Sequence, residues 1–127
     1  MVPDLHGEIL MLKYIVGLTN ATSPVLHLFT NDVTPTDSTT IGGLTECSAA
    51  GYAPITLVSS NWTVGQSLGV TTASYSERTF SFSTTAIAYG YYVTDISGPS
   101  LLWLERFSGA PFEIPDGGGS ISITAKL

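Results

Sequence analysis

Charge is what this 127-residue sequence has least of. Only 11% of its residues are Asp, Glu, Lys or Arg, against about 25% in an ordinary soluble domain. The four basic residues, Lys13, Arg78, Arg106 and Lys126, are scattered along a chain of net charge −6. No basic patch exists to neutralise a phosphate backbone or an anionic bilayer, so neither nucleic acid nor a membrane surface is an expected partner. Cysteine is almost missing. Cys47 stands alone, which excludes an intrachain disulfide, and it reads as a small apolar residue rather than a reactive thiol. Nothing in the cysteine content marks an extracellular home. Long apolar runs are absent too. Ile9 to Leu18 is interrupted by Lys13 and preceded by Asp4 and Glu8, so it lacks the basic start of a signal peptide and the length of a bilayer span. Met1 to Leu18 is therefore expected to belong to the folded domain.

Hydroxyls fill the place that charge leaves: Ser and Thr make up roughly a quarter of the chain, far above average usage. Such a surface repels other copies weakly. A mean hydropathy of +0.30 adds to the expectation that part of it is buried against a partner. The length fits one domain with a real core, held without metal or disulfide.

The spacing of Leu5, Ile9, Leu12 and Ile15 or Val16 predicts an amphipathic helix over about 5–17, capped by Asp4 and stopped by Gly17. From Val25 the period changes to two. Val25 to Phe29 reads as a buried strand, followed by loop chemistry from Thr30 to Thr40, while Ile41 to Gly51 carries no clear period. Further strands are expected at Ile55 to Val58, Trp62 to Val64 and Tyr75 to Ser83. Ile87, Tyr89, Tyr91 and Val93 form one alternating face. Leu101 to Phe107 follows a Gly98-Pro99 turn, and Phe112 to Ile114 precedes the turn at Pro115 to Gly119. Ile121, Ile123, Ala125 and Leu127 mark a terminal strand. About seven short strands with turns every eight to twelve residues predict an antiparallel β-sandwich or barrel, with the helix packed on it and no internal domain boundary over 1–127.

Catalytic chemistry has little to work with. His6 and His27 are the only histidines, no Gly-x-Ser-x-Gly elbow is present, and His27 between Leu26 and Leu28 reads as a strand-face residue. The rival expectation, a small hydrolase, requires a cleft joining His27 to acidic or hydroxyl side chains. No spacing of His, Cys or Asp matches a metal site; Asn31, Asp32 and Asp37 could hold calcium, but turn formation explains them more simply. Glu46, Glu77, Glu105 and Glu113 carry no context of a paired-carboxylate cleft. Neighbours Glu105 and Arg106 must point to opposite strand faces, so each needs a separate partner. Gly117 to Gly119 is a hairpin turn, not a phosphate loop. Asn20-Ala21-Thr22 and Asn61-Trp62-Thr63 match glycosylation acceptors only by a common motif. Tyr89, Tyr91, Tyr92 and Trp103 could form a carbohydrate platform, although core packing accounts for these rings more simply. No catalytic, cofactor-binding or metal residue is assigned, and no enzymatic activity is expected.

Several segments together resemble small structural proteins of tailed phages, of the type carried by phages of cyanobacteria. They are Gly7 to Val16; Leu26-His27-Leu28-Phe29-Thr30-Asn31 with Thr34-Pro35; Gly51-Tyr52; Asn61-Trp62-Thr63-Val64; Tyr89-Gly90-Tyr91 with Val93-Thr94; Glu105-Arg106-Phe107; and Gly119-Ser120-Ile121 with Ala125-Lys126-Leu127. The resemblance implies a virion component. Its first form is a capsid decoration or cement protein, made in the host cytoplasm and bound over the major capsid protein on the capsid surface with copies of itself, as a homotrimer. The amino-terminal helix and the Thr30 to Gly51 loop are the implied contacts with the shell. The alternatives are a tail, baseplate or fibre-associated module, or a carbohydrate-binding module.

Overall fold

The computed structural model describes residues 1–3, 7–96 and 100–127. The expected Asp4 cap, Leu5, His6 and the Gly98-Pro99 turn lie outside the described residues. A short helix, α1 (Ile9–Ile15), is followed by ten strands: β1 (Val25–Phe29), β2 (Ile55–Thr56), β3 (Trp62–Ser67), β4 (Val70–Tyr75), β5 (Arg78–Phe82), β6 (Ala86–Ala88), β7 (Gly90–Thr94), β8 (Leu101–Arg106), β9 (Phe112–Ile114) and β10 (Gly119–Ile123). The chain is mainly β and antiparallel, as its patterning predicts.

One sheet has the order β2-β1-β7-β8. Its centre is the pairing of β1 with β7, which runs from Val25 opposite Thr94 to Phe29 opposite Gly90. Facing it is a second layer built on the β4–β5 stretch. There β5 pairs with β10, from Arg78 opposite Ile123 to Phe82 opposite Gly119. The residues after β10 continue alongside β4, where Ala73 and Leu127 exchange both backbone hydrogen bonds and Tyr75 N–H donates to Ala125 O. A shift of one residue between these two registers marks a bulge near Ser76-Glu77, which divides a strand that sequence spacing begins only at Tyr75. β3 pairs with the other side of β4, and β6 with β9.

The period-two positions explain the core. Leu26, Leu28, Tyr91, Val93, Leu102 and Trp103 of the first sheet pack against Tyr75, Phe80, Phe82, Ile123 and Ala125 of the second, with Cys47, Leu57, Ala88 and Ile114 filling between. Each large apolar side chain buried this way contributes about 1.5–3 kcal/mol. β7 is buried along its whole length, because the first sheet is covered on both faces. Behind it lies a smaller core of Phe29, Tyr92, Leu101 and Leu104, roofed by Val33, Ile41 and Leu44 of the loop after β1. Asn31 clasps that loop shut: its Nδ2 donates to Gly43 O and its Oδ1 accepts the Thr45 N–H, each at 2.8 Å.

The helix lies within the predicted 5–17 and ends at Ile15, two residues before the predicted limit. Gly17, at φ 74°, supplies the left-handed stop, with Gly17 N–H on Tyr14 O and Leu18 N–H on Lys13 O as in a Schellman ending. The predicted apolar stripe is turned to solvent: Ile9, Leu12, Ile15 and Val16 are exposed, Ile15 at 79%. Leu10, Met11 and Tyr14 face the body, half-buried, and no helix residue is fully buried. A helix apolar on nearly all sides carries two stripes of the same spacing, and periodicity alone cannot choose between them.

Candidate functional site

Asn31, Asp32, Glu105 and Arg106, singled out by sequence, take part in structural contacts. Asn31 closes its loop, as above. Asp32 pairs with Arg106 Nη1 at 2.6 Å, and Arg106 also donates to Val33 O and lies 5.1 Å from the centre of the Tyr89 ring. Neither Asn31 nor Asp32 is left to a metal, and the described residues contain no cluster of three or more potential ligands. Glu105, on the opposite strand face as expected, accepts a 2.5 Å ion pair from the Met1 amino group.

His27 has more neighbours than its flanking leucines suggest. Its Nδ1 lies 2.7 Å from Glu46 Oε1 and its Nε2 lies 3.0 Å from the Thr94 hydroxyl, while its ring stacks on Tyr92 at 4.7 Å. The same Glu46 oxygen accepts the Tyr52 hydroxyl at 3.0 Å, and that hydroxyl accepts the Leu28 N–H. A hydroxyl, an imidazole and a carboxylate thus stand in the order of a hydrolytic triad. The bridge between Phe29 and Glu46 brings the carboxylate in, a long-range contact that sequence spacing gives no sign of. Thr94 is only 6% exposed, so its hydroxyl, held by the imidazole, has little room to meet a substrate. What this line of groups demonstrably does is tie β1, β7 and the returning loop together.

The tyrosines in this region hold their protons tightly. Burial pushes the Tyr52 and Tyr92 hydroxyls well above the ordinary value of 10, and nearby Glu46 pushes the same way. Burial also raises Tyr91, partly offset by the Lys126 amide N–H that its hydroxyl accepts. The folded chain therefore binds these protons more strongly than the unfolded chain. Their contribution to stability is whole below pH 10 and is lost as the pH climbs towards the folded values. An ultraviolet titration is expected to show part of the phenols ionising only together with loss of near-ultraviolet circular dichroism. Complete ionisation near pH 10 with the fold intact would contradict this.

The four rings of the candidate carbohydrate platform do not share a face. Tyr91 and Trp103 lie in the main core, Tyr92 lies in the smaller core behind the sheet, and Tyr89 packs beside the latter under Arg106. Of the two expected shell contacts, the loop after β1 turns its apolar residues inward. The helix turns its own outward.

Together with Leu18, 75% exposed, the stripe Ile9, Leu12, Ile15 and Val16 is an apolar surface on α1 and its exit. Beside it, Met11, Tyr14, Pro24, Trp62, Ala73, Trp103 and Leu127 line a mostly apolar cavity of about 220 Å³. The β3–β4 hairpin leaves the body at this cavity. Residues 63–71 are exposed on both strands, so the hairpin projects as a free arm. Its tip is Leu68, fully exposed and at φ 51°, next to Gly69 at φ 80°. Two positive φ values in a two-residue loop are the geometry of a type I′ turn, which favours Asn-Gly. A leucine there costs about 1–2 kcal/mol of backbone strain. Sequence reading missed this hairpin because Leu68 is not a turn residue and Gly65 to Ser74 is poor in strand formers.

Comparison with protein-family profiles, with curated proteins and with solved structures found no match.

Proposed function

We propose that this chain is a non-enzymatic structural protein of a tailed-phage virion. Its most specific form is a capsid decoration or cement protein, synthesised in the host cytoplasm, that binds over the major capsid shell with copies of itself, as a homotrimer, and stabilises the shell. The observation that carries the reading is the outward apolar stripe of α1 on a rigid β body. Ile9, Leu12, Ile15, Val16 and Leu18 stay about half or more exposed in the folded chain, and an exposed apolar surface of this kind marks a protein contact. The scarcity of charge supports the same reading, since few charged groups must be desolvated when such a surface is covered. Scattered basic residues favour a protein partner over nucleic acid or membrane. The virion itself rests on the sequence resemblance. A tail, baseplate or fibre module would use the same architecture and is the next reading.

Quantitative mass spectrometry of purified virions of the encoding phage tests this. Copies comparable in number to the major capsid protein are expected; a handful would move the chain to the tail. Absence would refute the virion reading and turn attention to the Thr94–His27–Glu46 line, the single feature that favours hydrolysis. That alternative requires turnover of an activated ester that disappears in His27→Ala.

A further inference from the structure

β3 is a free sheet edge with none of the devices that normally protect one. Among the described residues it has β4 on one side only, and the Trp62–Tyr75 hairpin contains no charged residue and no proline. The ladder to β4 uses the odd-numbered residues of this side, as the bond from Ser76 N–H to Asn61 O shows. The N–H and C=O groups of Val64 and Gln66 and the C=O of Trp62 therefore point away from β4, while the Trp62 N–H is held by Ser59 O. A two-stranded ribbon exposed on both faces is marginal by itself. Gly65 sits in mid-strand with nothing within 4 Å of where a Cβ would be. The chain's own packing does not ask for a glycine there, whereas a strand glycine commonly marks the approach of another backbone.

We propose that the β3 edge pairs antiparallel with the β3 edge of a second copy of this chain, about a two-fold axis at Gly65. In that register Val64 lies opposite Gln66 of the second copy, joined by their outward backbone groups. Trp62 lies opposite Leu68 of the second copy. The strained apolar tip of each arm then arrives at the apolar cavity that Trp62, Met11, Tyr14 and Leu127 line at the base of the other. Free edge, tip and cavity are satisfied by one arrangement.

A second copy is the occupant for reasons of charge and symmetry. Each copy carries a net charge of −6, and the uncharged arm is where two such bodies meet without opposing like charges. The edge's outward groups are self-complementary about a two-fold. The contact is independent of the virion reading, and in a trimeric assembly it would join neighbouring trimers rather than chains within one.

Sedimentation velocity across a concentration series tests it with two variants. Val64→Pro removes an outward N–H and no hydrogen bond to β4. Leu68→Asn removes the tip while placing a better turn residue at a left-handed position. Both are expected to weaken dimerisation about thirtyfold or more, with Leu68→Asn melting no lower than the parent at monomeric concentrations. The proposal is overturned by a parent chain that stays monomeric at every concentration, or by self-association that both variants leave unchanged.

Discussion

Gly90→Ala is expected to be among the most damaging single-methyl changes in this chain. Gly90 is buried in β7 between Phe29 of β1 and Arg106 of β8. A Cβ there would stand 2.6 Å from the Phe29 ring and collide with the Glu105 carbonyl oxygen. That oxygen is backbone of the neighbouring strand and cannot swing aside as a side chain would. Relief would require β7 and β8 to separate beside the smaller core. Overpacking of this kind costs about 3 kcal/mol, or a fall in Tm of roughly 10 °C for a domain of this size. Gly65→Ala, melted at monomeric concentrations, is the control: its Cβ meets nothing within the chain, so an effect within about 0.5 kcal/mol is expected. Similar melting of the two variants would mean that the approach of β1, β7 and β8 is wrongly described.

The contrast between these glycines shows what sequence alone conveyed. Tyr91 and Val93 were legible as a core face. The predicted face of Ile87, Tyr89, Tyr91 and Val93 breaks at Tyr89, which separates β6 from β7 and packs on the smaller core, so that Ala88 and not Ile87 is buried with Tyr91 and Val93. That Gly90 is a close approach depends on which strands flank β7, and strand order leaves no local trace. Val25–Phe29 and Phe112–Ile114 are the strands their spacing predicts, because β-branched and aromatic residues there are bounded by turn residues. The arm escaped notice because its turn is built from Leu68-Gly69. The bulge at Ser76-Glu77 was hidden because a bulge is defined by the partner strand, which lies some 45 residues away at the carboxyl end.

The candidate surfaces divide in the same way. Composition alone indicated that some apolar surface must remain uncovered, and the structure locates it on α1 and at the arm. Periodicity marked the stripe but not the way it faces, since Leu10, Met11 and Tyr14 repeat with the same three- and four-residue spacing as Ile9, Leu12 and Ile15. His27 was read as a plain strand-face residue; its contacts with Glu46 and Thr94 depend on a loop return and a cross-strand diagonal that no motif encodes.

The second large effect concerns the outward stripe itself. Leu12 and Ile15 are 60% and 79% exposed, so Leu12→Asp with Ile15→Asp removes little packing from the free protein. Its melting temperature is expected to stay within a few degrees of the parent. On a surface designed for a partner, each change puts a carboxylate where an apolar contact belongs and costs about 2 kcal/mol or more, roughly thirtyfold in affinity. The two together predict about a thousandfold loss. The most direct measurement is co-sedimentation of the purified chain with capsid shells of the encoding phage that lack it. The account predicts saturable binding of the parent in proportion to capsid subunits and none by the double variant at the same concentration. Equal binding by the two chains would contradict the central claim that α1 is the surface through which this protein assembles.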